Sequence, residues 1–191
     1  MRDVYDFAKF FIKNGADSSP NTYDGNMKLQ KLLVFADLAN IAEYGEPLFG
    51  DQVLAFKNGC VVEKVRLRYK NDYVAFYNDS KSYQPDFSER EYEILRLILD
   101  IFGNATAKEL SEINHTFSFW KSAFINGTSS TGYHDKEQSV VDMMSQESDL
   151  NRMREIISAY KETSSEVESS ETINGVTFFF DGFVLTDDLM D

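Results

Sequence analysis

Residues 27–44 constrain this chain more than any other stretch. Leu29, Leu32, Leu33 and Ala36 fall on one helical stripe, and Val34, Phe35, Leu38, Ile41 and Ala42 fall on a second. A helix apolar on most of its sides cannot lie at a surface, so the rest of the chain has to be built around it. Gly45 and Pro47 close it, the glycine as a left-handed cap and the proline as a block to continuation. The flanking segments supply partners. Asp3 can cap a helix carrying Val4, Phe7, Ala8, Phe11 and Ile12, and Gly15 stops it. Ser88 with Glu91 and Thr106 with Glu109 form two capping boxes, which predict helices over about 88–102 and 106–113. Further helices are expected around 117–125, from Asp135 with Gln138 to about 144, and from Ser148 to about 160.

The β content is expected to be small. Residues 53–56 read as a short strand before an Asn58-Gly59 turn. Residues 61–69 fit helix or strand and are read as helix, while 71–87 read as an irregular aromatic connection. The fold class is therefore α+β, a mostly helical single domain over 1–160 with a short β element near 50–62 and a C-terminal hairpin. Composition changes at about residue 161. From there to the end, one lysine stands against eight acids, more than half of the chain's net charge of −13. Residues 161–171 read as an acidic polar linker. Within 172–191, the runs before and after Asp181-Gly182 read as a hairpin around 173–186. Its Phe178, Phe179, Phe180 and Phe183 are too many to leave in water, and are expected to pack on the domain or on a partner.

Chemistry is hard to find. His115 and His134 stand 19 positions apart with no paired-ligand spacing, and Cys60 is the only cysteine, so no metal site and no disulfide framework is expected. Phosphate-cradling, dinucleotide and nucleophile-elbow motifs are missing, so no cofactor and no catalytic residue is assigned. An enzyme centred on Cys60 or His115 stays open as an alternative. The apolar runs fall short of a membrane span, and the first 13 residues do not read as a signal peptide. The pair of helices over 106–125 could be a helix-turn-helix. Lys108 and Lys121 are matched there by Glu109 and Glu112, so nucleic-acid binding is disfavoured.

Several segments taken in order resemble a known family. They are Met27-Lys-Leu-Gln-Lys-Leu-Leu-Val-Phe-Ala, then Tyr44-Gly-Glu-Pro-Leu-Phe49, then Ala55-Phe-Lys-Asn-Gly-Cys-Val-Val-Glu-Lys-Val65, then Glu109-Leu-Ser-Glu-Ile-Asn-His115 and Trp120. Together, over about residues 4–125, they resemble the SocA-like antitoxin domain, also called the Panacea domain. Phe56 stands where that family usually has Trp, and Gly59-Cys60 where it usually has Gly-Pro. The resemblance implies a mainly helical cytoplasmic protein that binds another protein. Such domains occur in toxin–antitoxin operons and prophages, where they neutralise toxins by direct contact. One member serves as an adaptor that presents its toxin to a protease. The partner implied is a cognate toxin or a host target, such as a defence protein inhibited by a phage. The resemblance implies no catalytic residue. Candidate interaction residues are Phe56, Gly59, His115 and Trp120, with Phe179 and Phe183 from the tail.

Overall fold

The computed structural model describes residues 1–168 and the pairs 172–173 and 176–177. The chain divides into two units, Met1–Arg154 and Glu155–Asp191. The first contains helices α1 (Val4–Lys13), α2 (Tyr23–Tyr44), α3 (Glu63–Asn71), α4 (Tyr73–Ser82), α5 (Glu89–Phe102), α6 (Ala107–His115) and α7 (Ser118–Gly127). Strands β1 (Val53–Phe56) and β2 (Gly59–Val62) lie between α2 and α3. A last helix, α8 (Glu147–Glu168), starts in the first unit and continues into the second.

Helix α2 is the axis, as its two apolar stripes require. Every residue from 28 to 42 is buried, and α1, α3, α5, α6 and β2 all pack against it. Phe35 meets Phe102 of α5 at 4.8 Å and Phe117 at 6.1 Å, both as tilted ring pairs. The helix starts one turn earlier than its apolar pattern does, because the Thr22 side chain accepts from the Gly25 amide. Gly45 closes it in the left-handed region at φ 75°. Asp3, Ser88 and Thr106 cap α1, α5 and α6 as their sequences specify, with both capping boxes formed.

Several expectations need correction. Residues 61–69 divide, with β2 ending at Val62 and α3 starting at Glu63. The 71–87 connection contains a helix, α4, which buries only Phe76 and Ser80; a face that narrow leaves little periodicity to detect. Residues 135–144 form no helix. Asp135 accepts from the Glu137 amide and from the Gln138 side chain, so the capping signature closes a turn instead. The chain then runs along the open edge of β1: Ala55 N–H donates to Ser139 O at 2.8 Å, and Val141 N–H to Val53 O at 2.9 Å. An unpaired strand edge offers this segment more than an isolated helical turn can.

The expected linker is helical over 161–168, because α8 continues to Glu168. Once a helix exists, polar residues extend it at one hydrogen bond each with no new nucleation. In the second unit, β3 (Thr172–Ile173) and β4 (Val176–Thr177) pair antiparallel, Thr172 with Thr177 and Ile173 with Val176. The expected hairpin turns at Asp181-Gly182, which lies outside the described residues together with Phe178, Phe179, Phe180 and Phe183, so the β3–β4 pairing is a different one and does not test it.

Candidate functional site

The site is built on the β1–β2 hairpin, in which Phe56 pairs with Gly59 across a turn of Lys57 and Asn58. The turn sits one residue earlier than Asn58-Gly59. Strand β1 pairs on both sides, with β2 and with the 139–141 segment. Among the described residues no strand lies beside the outer edge of β2, and side chains take that place. Cys60 N–H donates to Asn114 Oδ1 at 2.6 Å, Lys31 Nζ donates to Cys60 O at 2.9 Å, and Val62 N–H donates to Gln30 Oε1 at 2.9 Å. Ser111 Oγ donates to Asn58 O at 2.9 Å and ties down the turn. A short edge strand covered this way satisfies its peptide groups and offers no template for further pairing.

Gly59 sits where these groups converge. Its φ is 93°, and a Cβ there would lie 2.5 Å from Asn114 Oδ1 and 2.6 Å from Lys31 Cε. Glycine alone meets both demands, the left-handed backbone and the close approach.

The hairpin tip carries a chain of rings. Trp120 Nε1 donates to Phe56 O at 2.9 Å, and His115 lies on Trp120 at 4.0 Å between centroids. Trp120 stacks on Phe124 at 5.1 Å, Phe124 on His134 at 5.5 Å, and His134 meets Phe56 edge-on at 5.6 Å. Arg66 and Lys136 sit over the Phe56 ring at 5.4 and 5.7 Å. Phe56, Trp120, Phe124 and His134 are each half-buried, so the chain of rings reaches the surface. Lys57, Asn58 and Ile125 beside it are exposed.

Phe56, Gly59, His115 and Trp120 therefore come together around one hairpin, although 64 positions separate Phe56 from Trp120. Phe179 and Phe183 lie outside the described residues. Gln30, Lys31, Asn114, Phe124 and His134 join the site without having been named among the candidate interaction residues. The available signal was the pair of polar residues, Gln30 and Lys31, set between Leu29 and Leu32 on a buried helix.

Electrostatics argue against a nucleophile here. The Cys60 thiol is fully buried, and that burial pushes it up to about 12, the reverse of an activated thiolate. Burial also lowers Lys31 to about 8. His115 is held below its ordinary range by burial and then by the Lys31 charge, so its ring is neutral at physiological pH. Three buried nitrogens, Asn114 Nδ2, His115 Nε2 and His134 Nε2, have no hydrogen-bond partner among the described residues.

Behind the hairpin lies a cavity of about 450 Å³ between α2, α3 and the turn. Lys31, Tyr23, Phe56, Val61, Arg66 and Tyr69 are among its walls. Among the described residues, no helix is long and apolar enough to cross a membrane.

The residues that cover the β2 edge and hold Trp120 run from Gln30 to Trp120 in sequence. Residues 29–121 match the model of a family described as Antitoxin SocA-like, Panacea domain. This stretch is a SocA-like Panacea domain. No curated protein and no solved structure matches the chain. The match supports an antitoxin-like role in general terms and, with it, a protein as partner. The Panacea domain here thus contains both the covered strand edge and the rings of its tip, apart from Phe124 and His134, which follow it in sequence.

Proposed function

We propose that the chain is an antitoxin that silences a protein toxin by direct contact, through the face around the β1–β2 turn. The observation that carries the reading is the convergence, within the matched domain, of a covered hairpin with a half-exposed aromatic tip. Half-buried aromatic side chains beside exposed polar ones have the composition of a binding patch, large in contact area and low in conformational entropy to lose. The action is non-catalytic, takes place in the cytoplasm, and belongs to a toxin–antitoxin operon or prophage. The same face would serve an adaptor that hands its toxin to a protease, or a phage protein that blocks a host defence. A DNA-binding role for α6 and α7 has weaker support: Lys108 is paired with Glu112 at 3.8 Å, which leaves Lys121 as the remaining cation of the two helices.

Co-expression with a toxic neighbouring open reading frame tests the proposal. The wild-type chain is expected to restore growth. The double variant Lys57→Glu, Ile125→Glu alters two exposed positions, so it should keep its melting temperature while binding the toxin at least about tenfold more weakly and losing rescue. Failure of the wild type to rescue would remove the antitoxin reading. Full rescue by the folded variant would move the interface elsewhere.

A further inference from the structure

The cavity behind the hairpin shares Phe56 and Lys57 with the proposed contact face, but its floor is a buried charge that the toxin-binding reading does not use. Its floor is Lys31, a residue only 1% exposed. An ammonium carries three donors. Among the described residues, the acceptor this one reaches is the Cys60 carbonyl. Lys57, Arg66 and Lys70 also line the cavity, and among the described residues no Asp or Glu does. Four cations around one concavity are notable in a chain of net charge −13. Two acids that do not line the cavity bond to residues that do. Glu63 accepts from Arg66 Nε at 2.7 Å, and Asp17 accepts from the Tyr69 and Tyr73 hydroxyls at 2.9 and 2.8 Å. Lys57 and Lys70 are exposed and make no ion pair among the described residues. A low-dielectric cleft lined by one sign of charge concentrates ions of the other sign.

Size narrows the ligand. A volume of about 450 Å³ lies within the roughly 300–1,000 Å³ of small-molecule sites. It exceeds the space of one carboxylate side chain or a few waters. Phe56, Val61 and Tyr69 give the walls an apolar part beside the cationic floor. We propose that this cavity binds a small organic anion, with its phosphate or carboxylate head on the Lys31 ammonium and its apolar body against Phe56, Val61 and Tyr69. The anion would give the buried ammonium the opposite charge that a group out of water requires. This site is independent of whether the chain is an antitoxin.

The test is calorimetric titration of the full chain with phenyl phosphate, with benzoate, and with neutral benzyl alcohol. At least one anion is expected to bind at millimolar concentration or below, more weakly as salt rises, and benzyl alcohol is not. The tighter anion identifies the head group. Lys31→Met keeps the side-chain length and removes the charge, and should weaken binding by at least about tenfold. If that variant does not fold, the double variant Lys57→Gln, Lys70→Gln, at two exposed positions, is expected to weaken binding several-fold. The proposal is overturned if neither anion binds the wild type, if benzyl alcohol binds as tightly, or if the folded variants bind like the wild type.

Discussion

Gly59→Val is expected to destabilise the chain by about 3 kcal/mol or more, from two additive causes. A β-branched residue at φ 93° pays backbone strain of roughly 1–3 kcal/mol. Its Cβ also meets Asn114 Oδ1 at 2.5 Å and Lys31 Cε at 2.6 Å. Neither neighbour can retreat freely, since each holds a peptide group of Cys60. Moving Asn114 leaves the Cys60 amide buried without an acceptor, at about 1–3 kcal/mol. For a chain of this size, 3 kcal/mol corresponds to roughly 6–12 °C in melting temperature. Gly59→Ala should fall part-way, with the same sign. Thermal unfolding checks both, and a valine variant that melts with the wild type would show that the hairpin does not rest on this close approach.

The second large effect depends on pH. Asp37 lies on α2 with 6% of its surface exposed and accepts the Leu48 amide at 2.7 Å. Burial pushes its carboxyl up to about 7, against the pull of the Leu48 and Phe49 amides. A carboxyl with a raised folded pKa binds its proton more tightly in the native state, so its contribution is complete below the unfolded pKa of 3.8. That contribution is lost as pH rises through about 7. Asn at this position cannot ionise and still offers an oxygen to Leu48. From about pH 5 to about pH 8, the stability of Asp37→Asn relative to wild type should therefore rise by on the order of 3 kcal/mol. His115 works the other way, because its lowered pKa adds stability as pH rises toward the ordinary value, but both proteins carry it. Lys31 is relieved of its charge only above about 8. Denaturant unfolding at each pH gives the difference directly; if it does not change with pH, Asp37 is not a buried acid.

Much of this fold can be read locally because its signals are local. The capping boxes at Ser88 and Thr106, the stripes of α2 and the Gly45-to-Pro47 stop each act within a few residues. What escaped notice has distant causes. Ser139 to Val141 follow a capping signature, but their partner is β1, more than 80 positions earlier. Gln30 and Lys31 have polar side chains on a helix, and nothing nearby says that Val62 and Cys60 will need them. The candidate site was legible in part. Phe56, Gly59, His115 and Trp120 came from the ordered family segments, whereas Phe124 and His134 joined them only through ring stacking in three dimensions. Asp37 carried a visible warning, an acid between Ala36 and Leu38 on a helix with no solvent side.

Neutralisation by binding is tested most directly by its stoichiometry. Purified full chain is titrated against a fixed amount of its toxin while the toxin's activity is followed. Neutralisation that is complete at an equimolar ratio, and reversed when the two proteins are separated, is the expected result. Complete silencing by a small fraction of an equivalent, persisting after the chain is removed, would mean that the toxin had been chemically altered and would contradict the account.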